Sequence, residues 1–164
     1  LSQQTNNDIL EIFTDGAARG NPGNGGYGIV MKWKGARKEM SAGYRYTTNN
    51  RMELLAVIVA LESLTRHGLR IRITTDSKYV VDAVEKKWVF GWVKKQFKDK
   101  KNKDLWLRFL DLYSLHQISF HWVKGHASHP DNNRCDELAT AAADGGNLLV
   151  DTWFEQHKEE QKLL

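Results

Sequence analysis

The sequence is poor in the features that would support several whole classes of protein. It has one cysteine in 164 residues, Cys135. An internal disulfide is therefore impossible, a thiolate zinc cluster is excluded, and a reducing, cytoplasmic setting is expected. No apolar run approaches the length needed to cross a bilayer. No basic stretch followed by an apolar one opens the chain, so no secretory signal is expected. Internal repeats and low-complexity tracts are also lacking. What remains, at 41% apolar residues, is a globular chain long enough for one domain with a sizeable core.

Charge is present but unevenly placed. The net charge is +4, yet Lys86–Lys103 alone holds eight lysines against Asp99, a local +7 that leaves −3 for everything else. Trp88, Trp92, Phe97 and Trp106 punctuate this stretch. Such asymmetry suggests an anionic polymer lying against one face. Trp88 and Trp92, spaced i, i+4, can share a helical face and anchor the segment, with lysines projecting from the other side.

Ile9–Phe13 reads as a buried strand, with Asp15 closing it and glycines at 16, 20, 23, 25 and 26 turning the chain. Gly26–Trp33 and Arg37–Arg45 continue an antiparallel meander. Met52–Leu64 is apolar on nearly every side, a well-buried helix ended by Gly68. Leu69–Thr75 is a strand, Asp76–Glu85 a helix, Asp104–Leu115 a helix, Gln117–Val123 the last strand, and Pro130–Ala143 a helix. This alternation implies a parallel portion of the sheet and an α/β class. The tail from Asp144 can form a short helix around Trp153 and Phe154.

Four carboxylates stand out. Each has a plain structural reading: Asp15 as a turn starter, Glu53 in a capping box with Asn50, Asp76 as an N-cap, and Asp136 as a complement to its helix dipole. Glu62, nine positions after Glu53, lies about 180° round the helix and faces away. Asp8, Asp82, Asp104, Asp111, Asp131 and Asp144 read as surface charges. If the first and fourth strands are neighbours, however, Asp15 and Asp76 meet at their C-terminal ends, where ligands gather in open α/β sheets. The helices carrying Glu53 and Asp136 can pack beside them. Converging carboxylates repel unless cations are present, and hard oxygen ligands suit Mg²⁺ or Mn²⁺.

Phe13-Thr14-Asp15-Gly16, Gly20-Asn21-Pro22-Gly23, Gly25-Gly26-Tyr27-Gly28, Thr47–Leu54, Thr75-Asp76-Ser77, Trp122–His126 and Arg134–Ala139 stand in one order. Together they closely resemble bacterial type 1 ribonuclease H, in register from about Ile9 to Ala143. The resemblance implies a five-stranded mixed sheet flanked by helices with a basic helical protrusion at 86–106, a catalytic core at about 9–143 and a tail at 144–164, all one domain. It implies cleavage of the RNA strand of RNA–DNA hybrids, leaving 5′-phosphate and 3′-hydroxyl ends, by a cytoplasmic monomer with no membrane partner. Asp15, Glu53, Asp76 and Asp136 would bind two Mg²⁺ ions, or Mn²⁺ in their place, roughly 3.5–4 Å apart around the scissile phosphate. His126 would assist proton transfer or product release. Asn21, Thr48 and Asn49 would hold the two backbones, and Lys86, Lys87, Trp88, Lys94, Lys95, Lys98, Lys100 and Lys101 would grip phosphates. Two positions depart from the family pattern: Lys78 where glutamine is often found, and Phe97 where a tryptophan is usual. Two other readings stand beside this one: a non-catalytic hybrid-binding module, and a related two-metal DNA nuclease or integrase.

Overall fold

A computed structural model describes residues 8–125 and 128–158. Three long strands form the expected meander: β1 (Ile9–Arg19), β2 (Gly23–Trp33) and β3 (Ala36–Thr47). The chain then alternates: α1 (Asn49–Glu62), β4 (Arg70–Thr75), α2 (Lys78–Glu85), α3 (Trp88–Lys94), α4 (Lys103–Tyr113), β5 (Gln117–Trp122) and α5 (Pro130–Asp144). The segment after α5 adds β6 (Leu148–Leu149) and α6 (Thr152–Gln156). The sheet order is β5-β4-β1-β2-β3-β6, with β1–β2–β3 antiparallel and the β1–β4, β4–β5 and β3–β6 pairs parallel. A two-residue edge strand from the tail thus extends the expected five-stranded mixed sheet to six.

Strand β1 does not stop at Asp15. It continues to Arg19, paired with β2 as far as Arg19 opposite Asn24. Gly20, at φ +96°, turns the chain as expected, but Gly16 lies within β1 and, like Gly28 in β2, lets a helix approach. A side chain at Gly16 would run into the backbone of Met52 and Glu53 in α1, and one at Gly28 into the Cys135 carbonyl of α5. Gly28 lies opposite Asp15 and Gly16 opposite Tyr27. Successive strand residues face opposite sides, so α1 and α5 cover opposite faces of the sheet.

Helix α1 is buried almost continuously from Arg51 to Leu61 because it is enclosed by the sheet on one side and α4 on the other. Its cap is Thr48, whose Oγ1 accepts from the Arg51 N–H at 3.2 Å, so Asn50 and Glu53 do not form a capping box. The helix ends at Glu62, capped by Ser63; Gly68, at φ +77°, instead turns the chain into β4 and donates to the Leu115 carbonyl. Ser77 rather than Asp76 caps α2, accepting from Val80 N–H at 3.2 Å. Both acids are thereby released from the structural tasks that the sequence allowed them.

The tail is fastened by Arg51, which is 1% exposed. Its guanidinium donates two hydrogen bonds to Asp104 (2.8 and 2.7 Å) and two to Asp151 (2.7 and 2.9 Å). Asp151 also accepts from Thr47 Oγ1 at 2.7 Å and caps α6, whose Phe154 is buried. Asp104 is therefore no free surface charge; it is half of a buried charge network. Asp131 likewise accepts from Lys32 and Arg37, each at 2.8 Å.

Candidate active site

The parallel register builds the site. The β1–β4 ladder is paired up to Phe13 opposite Thr74. Two residues further on in each chain stand Asp15 and Asp76. Gly16 admits the first turn of α1, which brings in Glu53 from the opposite face. Among the described residues, Asp15, Glu53 and Asp76 each offer a carboxylate oxygen, all within 4.8 Å of one another. Asp136 does not belong to that set. It reaches the same 220 Å³ cleft from α5, together with Asn49, Lys124, Gly125, His129, Asn132 and Asn133.

Burial and crowding decide the electrostatics. Glu53 and Asp15 are each 6% exposed. Burial first, and then the charges of Asp76 and Asp136, push the Asp15 carboxyl up to about 8. Burial again, followed by the charges of Asp15 and Asp76, holds Glu53 well above the usual carboxylate range. Glu53 Oε1 is buried with no hydrogen-bond partner among the described residues. The Gly16 N–H donates to Asp15 Oδ1 at 2.9 Å, too little compensation for three acids this close together. Oxygen-only donors, mutual repulsion and an orphaned buried carboxylate oxygen together fit a hard divalent cation. A thiol cannot serve: Cys135 donates its S–H to the Phe13 carbonyl at 3.2 Å, and burial raises its pKa.

The loop after β5 closes one wall. Trp122 Nε1 donates to the Asp76 carbonyl at 3.0 Å, and Lys78 Nζ sits 4.9 Å from the Trp122 ring. Gly125 lies so close that a side chain there would meet Asp76 Oδ2. His126, in the same loop, lies outside the described residues. His129, which the sequence pattern did not favour, borders the cleft.

The other expected substrate-binding residues are spread over three places. Asn49 lines the carboxylate cleft, and its N–H donates to Asn21 Oδ1 at 3.0 Å. Asn21, Thr48 and Lys101 line a second hollow of 340 Å³ with Tyr46, Asn102 and Lys158. Lys87, Trp88, Lys95, Lys98 and Lys100 line a third, of 390 Å³, on the protrusion. Lys86 Nζ stands 5.3 Å from the Trp88 ring, and Lys94 is exposed in the last turn of α3.

Trp88 does not anchor the protrusion, being 49% exposed. Val89 is buried in its place, and Trp92 meets Trp106 edge-to-face at 5.9 Å. Helix α3 begins at Trp88 itself, so that residue has no preceding turn to hold it against the body. Phe97 fills the core despite its departure from the family pattern. Sequence reasoning also missed Asn132, which lines the cleft. Its position four residues before Asp136, on the same side of α5, was the available signal.

Comparison with known proteins agrees with this geometry. The family model described as RNase H matches residues 7–144. A Ribonuclease H of Desulforamulus reducens is 53% identical over 155 residues, covering 92% of this chain and 97% of its own. Among solved structures, LC9-RNase H1, described as a type 1 RNase H with the type 2 active-site motif, superposes with a TM-score of 0.76. It is 28% identical, covering 94% of this chain and 83% of that one. LC11-RNase H1, solved in complex with an RNA/DNA hybrid, gives a TM-score of 0.62 at 28% identity, covering 82% and 96%.

Proposed function

Because the chain belongs to the ribonuclease H family, in its bacterial type 1 branch, we propose that it is a metal-dependent endoribonuclease that hydrolyses the RNA strand of RNA–DNA hybrids. The single observation that carries this reading is the set of three carboxylate oxygens within 4.8 Å of one another, from within β1, just past the end of β4 and near the start of α1. Asp15, Glu53 and Asp76, with Asp136 beside them, would hold the metal, which we take to be two Mg²⁺ ions. Held there, such ions would supply Lewis-acid activation of a water and charge neutralisation at the leaving oxygen.

The chain's own residues do the remaining work. Burial of Glu53 and Asp15 keeps bulk water from screening their charge, so a bound cation is attracted strongly. Trp122 holds the Asp76 backbone in place through Nε1. The Asn49–Asn21 hydrogen bond ties the start of α1 to the β1–β2 turn, and amides there can read a 2′-hydroxyl, which both donates and accepts. The protrusion's exposed lysines offer sequence-independent phosphate contacts, as an enzyme acting on any hybrid requires. His126 would assist proton transfer or product release. The lone buried thiol suits a reducing cytoplasm, and the working state is a monomer, which sedimentation tests.

Labelled RNA–DNA hybrid, double-stranded RNA and double-stranded DNA, each incubated with Mg²⁺ or with chelator, test the reading together. Cleavage of the hybrid's RNA strand with Mg²⁺ alone is expected. Binding without cleavage would favour a silent binding module, and cleavage of double-stranded DNA a nuclease or integrase.

A further inference from the structure

Asn132 occupies the first turn of α5, and it is 9% exposed. Its Nδ2 donates to the Thr14 carbonyl at 3.4 Å, directly before Asp15. A carbonyl can only accept, so that hydrogen bond fixes which end of the amide faces β1. The other end, Oδ1, is then turned away from Thr14. Oδ1 is buried and has no hydrogen-bond partner among the described residues, although Asn132 lines the cleft that holds the four carboxylates. Buried polar atoms are almost always paired, so an orphan lining a cleft asks for a partner that the described residues do not supply.

That partner must be a donor. The nearby groups of the cleft, Asp15, Glu53, Asp76 and Asp136, supply acceptors when ionised. Mg²⁺ gives up its water reluctantly and keeps several molecules when held by carboxylates. Water polarised by a divalent cation is a strong donor, and on a cation held by Asp15, Glu53 and Asp76 it would stand beside carboxylates that, once ionised, only accept.

We propose that Asn132 is a positioning residue whose Oδ1 accepts a hydrogen bond from water on the cation held by Asp15, Glu53 and Asp76. The inference rests on the metal-site reading given above. Asn132 touches the hydration shell and not the metal, so it orients water in the cleft while Nδ2 is kept on β1. The pairing also explains why an amide, and not a fifth carboxylate, stands there: the Thr14 carbonyl needs a donor and the water needs an acceptor, and one amide supplies both.

The test is calorimetric titration of Mg²⁺ alone into wild type, Asn132→Ala, Asn132→Asp and Asp15→Asn, without nucleic acid. Urea unfolding in chelator is measured beside it. Loss of a group that orients a metal's shell typically weakens metal affinity about 10–100-fold. Asn132→Ala is expected to weaken Mg²⁺ binding about tenfold while still unfolding cooperatively in chelator, a little more easily than wild type for want of the Thr14 hydrogen bond. Asn132→Asp keeps an acceptor oxygen and is expected to bind Mg²⁺ at least as well as wild type. Asn132→Ala binding Mg²⁺ like wild type would overturn the proposal, as would Asn132→Asp proving as weak as Asn132→Ala. Asp15→Asn separates the two levels. It should lose most Mg²⁺ binding whatever Asn132 does, and if it does not, the metal site itself is wrong and the proposal falls with it.

Discussion

Replacing Asp15 with asparagine should make the metal-free protein more stable at neutral pH, by an amount that the site's electrostatics set. The unfolded chain ionises Asp15 near 3.8, whereas the folded chain does so near 8. Between those values the folded state keeps a proton that the unfolded state has released. The stability contributed by this group is therefore fully present below 3.8 and is lost as pH rises towards 8, by about 1.4 kcal/mol per pH unit. At pH 7 the wild type has lost roughly 4 kcal/mol by this route. Asparagine has the shape of the protonated acid and no charge to lose. The two proteins should thus be equally stable near pH 4 and diverge steadily above it. Urea unfolding at several pH values from 4 to 8, in chelator and followed by circular dichroism, measures the divergence. Saturating Mg²⁺ should shrink or reverse it, because only the wild type gains from the ion, while asparagine abolishes hybrid cleavage. A difference between the two proteins that does not change with pH would refute the reasoning.

The remaining predictions concern positions away from the central carboxylates or supporting them. Asp151→Asn leaves the Arg51 guanidinium buried with part of its partner charge gone, and should cost about 3–5 kcal/mol in urea unfolding. Gly16→Ala should lower both stability and Mg²⁺ affinity by driving a side chain into the backbone of α1; Gly146→Ala, with open space around it, is the control and should change neither. Replacing Lys94, Lys95, Lys98 and Lys101 with alanine should raise KM and leave kcat nearly unchanged. For every phosphate that the altered protrusion no longer neutralises, the plot of log K against log salt should flatten by roughly 0.7–0.9, measured with Ca²⁺ to block turnover. His126→Ala should slow turnover by about 10²-fold or less, near the low end for one acid–base group, and a larger loss in His129→Ala would reassign the role.

Each of the four carboxylates had a local structural reading, and Asp15 stood out most clearly from it. An acid inside an apolar strand run, at Asp15, is costly without a partner. Asp76 was ambiguous because the next residue, Ser77, can cap the same helix, and only the Ser77–Val80 hydrogen bond shows which residue does so. Glu53 was masked in the same way by Asn50, while Thr48 holds the cap. The glycines misled in a different manner. Gly16 and Gly26 stood among the glycines read as turning the chain, and at each the close approach is by a helix backbone onto a strand. Asn132 was hidden because its surroundings, Asp131 and Asn133, look like any polar helix start. Its value comes from the Thr14 carbonyl, 118 residues away in sequence.

Arg51 shows why such distant pairings matter to the site. Thr48, Arg51 and Glu53 fall within the first two turns of one helix, and each has a separate task. Thr48 ends the backbone's need for a cap, Arg51 ties the turn to Asp104 and Asp151, and Glu53 supplies a buried oxygen to the carboxylate set. The guanidinium gains its four carboxylate hydrogen bonds only when α4 and the tail are both docked, because one partner comes from each. Glu53 resists this assembly, since burial and its acidic neighbours oppose its ionised form. A rigid scaffold is what allows an unfavourable charge cluster to persist before a cation arrives. The turn that carries the destabilising acid is therefore the turn fastened at both ends of the chain's second half. Helix α4 and the described part of the C-terminal segment belong to the support of the site even though neither lines the carboxylate cleft.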